Sequence, residues 1–416
     1  MEQISQRLLI SLQKTIEKMK SAKKLKICIV SEFCIPYLYG GGEFRYYFLI
    51  KELQKMGHEV NWICMRFKDK KGRIQKKEVI NGINVVHLGP LIKKPPFRTF
   101  FNLIHYSASL LAYLLKNRYD IIDAQTFIPL IPTLLASKIT NTNMVATIHD
   151  VSKGKKNQWL QFGLVAPFFE KLICKLPYKK IITVSDSVKK RLIKDFKIRT
   201  NRITVVNNAV DLKFIDEIQP NYKPGSDYKK EKDSICFMGR LANNKRVQDL
   251  IKAIKNLKKD YPKIKLTIMG KGPEEVNLKR LVKELRLNNN VKFLIGIDDK
   301  KKFQELKKNE IFVLPSVREG FGIVLIEAMA CQNAVIGSKV DGVINVINDG
   351  KDGLFFKPKS VEDLTKKIKT LLINKSLRAK IIANGRKKVE QQFRWELKAK
   401  EIEQVYLKDL RERVDG

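Results

Sequence analysis

A short apolar run closed by proline, a turn with two glycines and an apolar helix follow one another from Ile311 to Ala330 (IFVLPSVREGFGIVLIEAMA). This order confines the chain to an α/β fold. IFVLPS reads as a buried strand, and Ile323, Ile326, Glu327 and Ala330 fall at helical spacing. A strand that runs through a glycine turn into a helix makes an anion site, because the first-turn amides lack partners and the helix dipole adds to them. Phosphate is the natural guest. Two carboxylates flank the turn, Glu319 within it and Glu327 eight residues on. The rise of a helix sets Glu327 roughly 6 to 8 Å deeper. Aimed at a phosphate they would repel it, whereas carboxylates suit the hydroxyl pairs of sugars, as does the acid that binds a ribose in dinucleotide folds. On these residues alone a plainer reading stays open, with Glu319 stabilising a helix N-terminus and Glu327 solvated.

The same unit recurs along the chain. Lys26 to Glu32 is a strand, Tyr39 to Glu43 a glycine loop opening a helix from Phe44 to Met56, and Glu59 to Met65 a second strand. The loop is not G-x-G-x-x-G, so a dinucleotide fingerprint is absent; its three glycines let a substrate approach the backbone. Strands at Asp120–Ala124, Met144–Asp150, Ile181–Ser185 and Arg202–Val206 follow, and His149 stands at the carboxyl end of its strand, where open α/β sheets bind ligands. Residues 213–234, rich in charge, Pro and Tyr, read as a linker. A second series starts at Ser234–Met238 and continues at Lys263–Met269, Val291–Leu294, Ile311–Leu314 and Ala334–Gly337. The loops bearing Arg240 and Lys245, and Gly270 to Pro273, lie at strand carboxyl ends, where one crevice would collect them. The expected organisation is an amphipathic extension (1–22), two doubly wound domains (23–212 and 235–392) facing each other, and a C-terminal helix (393–416) packing back on the first.

Lys and Arg number 82 against 43 Asp and Glu, a formal charge of +39. Such an excess attracts phosphorylated substrates or anionic lipid, although lysines spread over every exposed face would give the same total. No recognisable nucleic-acid module is present, so nucleic acid is not an expected partner. Phe97 to Leu115 reads as a core helix; Lys153 to Lys180, with Trp159, Phe162, Phe168 and Phe169 among lysines, suits a core helix or an anionic membrane surface equally. The six cysteines form no C-x-x-C pair and the histidines no metal spacing, which points to buried thiols. With a charged N-terminus no signal peptide is expected, and no apolar run reaches the roughly 20 residues of a membrane span. The expectation is a cytoplasmic protein, with peripheral attachment to the cytoplasmic face of a membrane as the variant.

Taken in order, these residues resemble the GT-B glycosyltransferases of family 4 (group 1), over Lys24 to Tyr406. The resemblance is carried by E-x7-E at Glu319 and Glu327, Gly40 and Gly41 with Glu43, GHEV from Gly57, TIHD ending in His149 and Asp150, VSDSV from Val184, NNAVD from Asn207, MGRL followed by Lys245, and MGKGP from Met269. E-x7-E alone is a weak signal; the ordered set is specific. The resemblance implies two Rossmann-like domains around a central cleft and a retaining transfer of sugar from a nucleotide-sugar donor to a hydroxyl of a glycan or lipid-linked acceptor. It makes His149, Glu319, Arg240 and Lys245 the catalytic set. Arg240 and Lys245 would hold the diphosphate, the amides of Gly320, Phe321, Gly322 and Ile323 would bind its phosphates, Glu327 would take the ribose, Glu319 the sugar hydroxyls, and His149 would face that sugar. Gly40, Gly41, Gly270 and Gly272 complete the donor site. No D-x-D pair occurs, which suits a transferase whose cations replace a metal, and neither metal nor cofactor is expected. Two departures stand out: Phe44 where the family commonly has Arg, and Asp341 to Val346 (DGVINV) where G-G-I-P-E-V is usual. The alternatives are a sugar-nucleotide epimerase of the same fold, and a noncatalytic nucleotide-sugar or polyanion binder.

Overall fold

The inner strands are buried on both faces because helices cover both sides of each sheet, so they read as continuous apolar runs rather than alternating ones. Ile27, Cys28, Ile29 and Val30 of the first strand have no exposed surface. The computed structural model describes residues 24–414 apart from 39, 69–71, 94, 96, 152–165 and 219–229. The extension expected at 1–22, half of the lysine-rich segment and the centre of the linker lie outside the described residues.

The first sheet comprises β1 (Lys26–Val30), β2 (Glu59–Arg66), β3 (Lys77–Ile80), β4 (Ile83–Leu91), β5 (Ile121–Gln125), β6 (Asn143–Ile148), β7 (Lys180–Thr183) and β8 (Ile203–Val205). Their order is β3-β4-β2-β1-β5-β6-β7-β8, with only β3 antiparallel to its neighbour. The second sheet has the order β11-β10-β9-β12-β13-β14, from β9 (Ser234–Met238), β10 (Lys265–Met269), β11 (Val291–Leu294), β12 (Ile311–Leu314), β13 (Ala334–Ser338) and β14 (Leu354–Phe356). The winding reverses between β1 and β5 in one sheet and between β9 and β12 in the other. Such switch points open a crevice at strand carboxyl ends.

Three features differ from the sequence reading. The first helix runs from Gly41 to Lys55, so Gly41 and Gly42 form its first turn rather than a loop before it. Glycine is tolerated there because the first-turn N–H groups have no helical partner to lose. β3 and β4 are additional strands, and Asn81 and Gly82 between them, both at positive φ (49° and 80°), carry the Asn-Gly signal of a tight hairpin. In the helix Phe100–Lys116, Leu103, Tyr106, Leu110 and Leu114 are buried, but Phe100 (55%), Phe101 (73%) and Ile104 (46%) are exposed, together with Phe97 (69%). The helix is a core element on one face only.

The last helix, Trp395–Val414, places Trp395, Ala399, Ile402 and Tyr406 in the core of the first sheet. The Tyr406 hydroxyl donates to Asp123 on β5 at 2.5 Å, fixing the helix to the sheet that bears the facing half of the cleft.

Candidate active site

The turn after β12 passes through Gly322 at φ +91°, a conformation that side chains rarely adopt, and the helix Ile323–Ala330 starts from it. Ser316, the last residue before the turn, donates to Glu319 Oε1 at 2.6 Å, and Lys245 Nζ reaches the same oxygen at 2.5 Å. Glu319 is thereby oriented by one neutral and one cationic donor. Arg240 is exposed and its side chain has no hydrogen bond or ion pair among the described residues, so its charge is available to a ligand. Gly270 and Gly272 have a packing reason: a Cβ on either would lie 1.9 Å from the Gly239 carbonyl oxygen or 2.3 Å from that of Leu241. The loop after β10 must lie flat against the loop that carries Arg240.

Glu327 sits in the helix beside Lys302, whose Nζ is 3.1 Å away and also 2.9 Å from Asp299. Burial pulls the Lys302 ammonium down, but the two carboxylates outweigh it and hold it above its ordinary range. Lys302 also stacks over Phe303 at 4.3 Å and over Phe44 at 5.6 Å. Phe44 belongs to the opposite domain, so the residue that replaces the family's usual Arg meets a lysine across the cleft. Nothing in the sequence links these two positions.

On the facing side, His149 Nε2 lies 3.1 Å from both the Tyr46 hydroxyl and Gln125 Oε1. Burial, with the charge of Arg45 second, lowers its imidazole to about 3, so His149 is neutral at any working pH. Arg45 is buried and donates to Asn208 Oδ1 at 2.9 Å and the Asn207 carbonyl at 3.2 Å. The NNAVD motif thus anchors the cation that adds to burial in keeping His149 uncharged. Tyr46, Gln125 and Arg45 carry no signal in the sequence, because their importance lies in long-range contacts.

The two halves touch around the anion turn. Ser185 donates to the Gly320 carbonyl at 3.0 Å, and a Cβ on Gly320 would meet the His149 carbonyl oxygen at 3.4 Å. Asp150 is paired with Arg191 of its own domain and Arg318 of the other, each at 2.8 Å. In the loop that departs from the family pattern, Gly342 packs on the Glu319 backbone, while Asn345 donates to Ser187 Oγ at 2.7 Å. That loop is therefore part of the interdomain contact. Gly41 completes the closure, as a Cβ there would meet Ile323 Cδ1 at 3.0 Å.

Glu43, in the first turn of the first helix, is raised to about 7, mainly by burial, with a backbone hydrogen bond opposing and the charge of Glu32 adding to it. A carboxyl raised in the folded state keeps its proton where the unfolded chain has lost it, so its stability penalty grows as pH rises from the ordinary carboxylate range to about 7 and is constant above. Thermal melts of Glu43→Gln should match wild type near the ordinary carboxylate pKa of about 4.3 and exceed it by a margin that grows up to about pH 7. A margin that stays the same across that range would show that Glu43 does not titrate in it.

Comparison with known proteins gives the chemistry a name. The Glycosyltransferase Family 4 profile matches residues 39–214 and the Glycosyl transferases group 1 profile residues 219–388, one on each half of the cleft. An uncharacterized glycosyltransferase of Methanocaldococcus jannaschii is 26% identical over 388 residues, 92% of this chain and 98% of its own. The structure of sucrose-phosphate synthase from Thermosynechococcus elongatus superposes with a TM-score of 0.78 at 22% identity, covering 92% of this chain and 98% of that one. Anabaena HepE, solved in complex with UDP-glucose, gives 0.71 at 18%, covering 92% and 99%. With two Rossmann-like domains in the GT-B arrangement and both halves matched in order, the chain belongs to the group 1 glycosyltransferases.

Proposed function

We propose that the protein transfers a sugar, with retention of anomeric configuration, from a nucleotide sugar to a hydroxyl of a glycan or lipid-linked acceptor at a cytoplasmic membrane surface. One observation carries this reading: the Gly320–Ile323 helix start, which follows directly on the Glu319 that Lys245 pairs, comes against the His149 backbone across the interdomain contact, and the Arg240 side chain has no partner among the described residues. Cations and amides on one side match a leaving diphosphate. An uncharged hydrogen-bonding ring on the other can touch the sugar without opposing the positive charge that develops at its anomeric carbon. The UDP-glucose complex of HepE is consistent with a nucleotide-sugar donor.

In the front-face displacement we favour, the bond from the anomeric carbon to the phosphate oxygen breaks as the acceptor oxygen bonds to the same face. The acceptor proton passes to the departing phosphate oxygen, which Arg240 and Lys245 stabilise in place of a metal. Glu319 positions the sugar, Glu327 the ribose. Incubating the enzyme with UDP-, GDP- and ADP-sugars and reading the product anomer by NMR tests the proposal. An inverted product, or an epimerised free nucleotide sugar without transfer, would overturn it.

The acceptor side is supported by the exposed cluster of Phe97, Phe100, Phe101 and Ile104, an apolar patch on a chain of charge +39. Apolar rings among basic residues anchor at an anionic bilayer, each nearby cation contributing about 1 kcal/mol that salt screens. The protein should sediment with anionic vesicles at low salt and much less with neutral ones, and Phe100→Ser with Phe101→Ser should reduce sedimentation at least several-fold. Equal sedimentation of the double variant would remove this surface from the proposal. Reversing Lys153, Lys155 and Lys156 to Glu tests the basic segment singled out in the sequence in the same assay.

A further inference from the structure

Three side chains far apart in sequence, none of them given a role above, converge in the first domain. Cys34 follows β1, Cys64 lies on β2 and His87 on β4, all buried. Their ligand atoms lie within 4.8 Å of one another, the only such group among the described residues. Cys64 Sγ is 3.0 Å from Cys34 Sγ and 3.4 Å from His87 Nδ1. The Met65 carbonyl oxygen stands 2.9 Å from the same Nδ1. On the far side of the ring, His87 Nε2 meets Glu78 Oε1 at 2.6 Å, and the Tyr37 hydroxyl donates to that oxygen at 2.7 Å.

Core thiols do not need this arrangement. The remaining cysteines, Cys28, Cys174, Cys236 and Cys331, are equally buried and take part in no such group among the described residues. An imidazole with a carboxylate on one nitrogen and two sulfurs near the other has the form of a ligand oriented by a second partner, as carboxylates orient metal-bound histidines. Two sulfurs and one nitrogen are a borderline-soft donor set, which selects zinc over magnesium or calcium. Zinc–sulfur bonds of about 2.3 Å in a tetrahedron set sulfur atoms roughly 3.8 Å apart, so the thiols need to spread by roughly 1 Å or less.

We propose that Cys34, Cys64 and His87 Nδ1 hold one structural zinc ion, with the Met65 carbonyl on its fourth side and Glu78 orienting His87. Binding requires both thiols to release their protons. The ion joins β2 and β4 to the segment that leads from β1 into Gly40 and the first helix, so it braces the acceptor-side wall of the cleft without touching the reaction.

The test uses the full-length chain purified under reducing conditions. Elemental analysis should find about one zinc per chain, and replacement with Co2+ should give the visible bands of a tetrahedral thiolate complex. Cys64→Ser and His87→Ala should lose the metal, while Cys236→Ser keeps it. A chelator should lower the melting temperature of the wild type but not of Cys64→Ser. Because the cobalt spectrum of the wild type needs no variant, misfolding of a mutant does not shield the proposal. Reduced protein that takes up neither zinc nor cobalt would overturn it, as would a mass two hydrogens lighter, the sign of a Cys34–Cys64 disulfide. A chain that holds zinc yet transfers no sugar would leave this inference standing and sink only the functional reading.

Discussion

Arg240→Ala and Lys245→Ala are each expected to lower turnover by about 10²-fold or more at saturating donor, because each removes a cation whose contact strengthens as charge gathers on the leaving diphosphate. The routes differ. Arg240 is exposed and its side chain is without a partner among the described residues, so its loss disturbs no side-chain contact and the variant should melt like wild type. Lys245 is bonded to Glu319, and removing it leaves that carboxylate held by Ser316 alone. Lys245→Ala should therefore also blur the sugar's position, and a double variant with Glu319→Gln should lose less than the two single losses combined. Near wild-type turnover in either single variant, with donor saturating, would strike that residue from the machinery.

The parts of this site legible in the sequence are those where a short segment determines its own geometry. Gly320 and Gly322 before an apolar run imply a helix N-terminus wherever the segment lies, and strand carboxyl ends gather loops by topology alone. The rest is set by distant contacts. Lys302 lies 25 residues before Glu327, and its ring partner Phe44 lies in the other domain. Arg45 looks like an ordinary helix residue until Asn207 and Asn208 are folded against it. The cysteines and histidine of the proposed zinc site come from three segments with no metal spacing in sequence. β3 and β4 are hidden for a different reason: Asn81 and Gly82 do signal a turn, but the hairpin lies at the sheet edge and interrupts the alternation of strand and helix that marks the other elements.

The two glutamates should separate in a binding experiment, with Glu327→Gln weakening free nucleoside diphosphate by about 10-fold and Glu319→Gln leaving that ligand untouched while cutting turnover of the intact donor. The division follows from their partners. Glu319 is held by Ser316 and Lys245 at the turn, and in the proposed reading it meets what projects past the phosphates. Glu327 is four residues into the helix and shares Lys302 with Asp299, so one of its oxygens is already occupied by a cation that the nucleotide must tolerate or displace. Lys302→Met provides the control. If Glu327 grips the ribose with its free oxygen, losing Lys302 should change diphosphate affinity far less than losing Glu327. If Lys302 is itself a phosphate contact, the two variants should weaken together. Calorimetry on wild type and the three variants decides, and equal losses of diphosphate affinity in Glu319→Gln and Glu327→Gln would refute the assignment of the two acids to different halves of the donor.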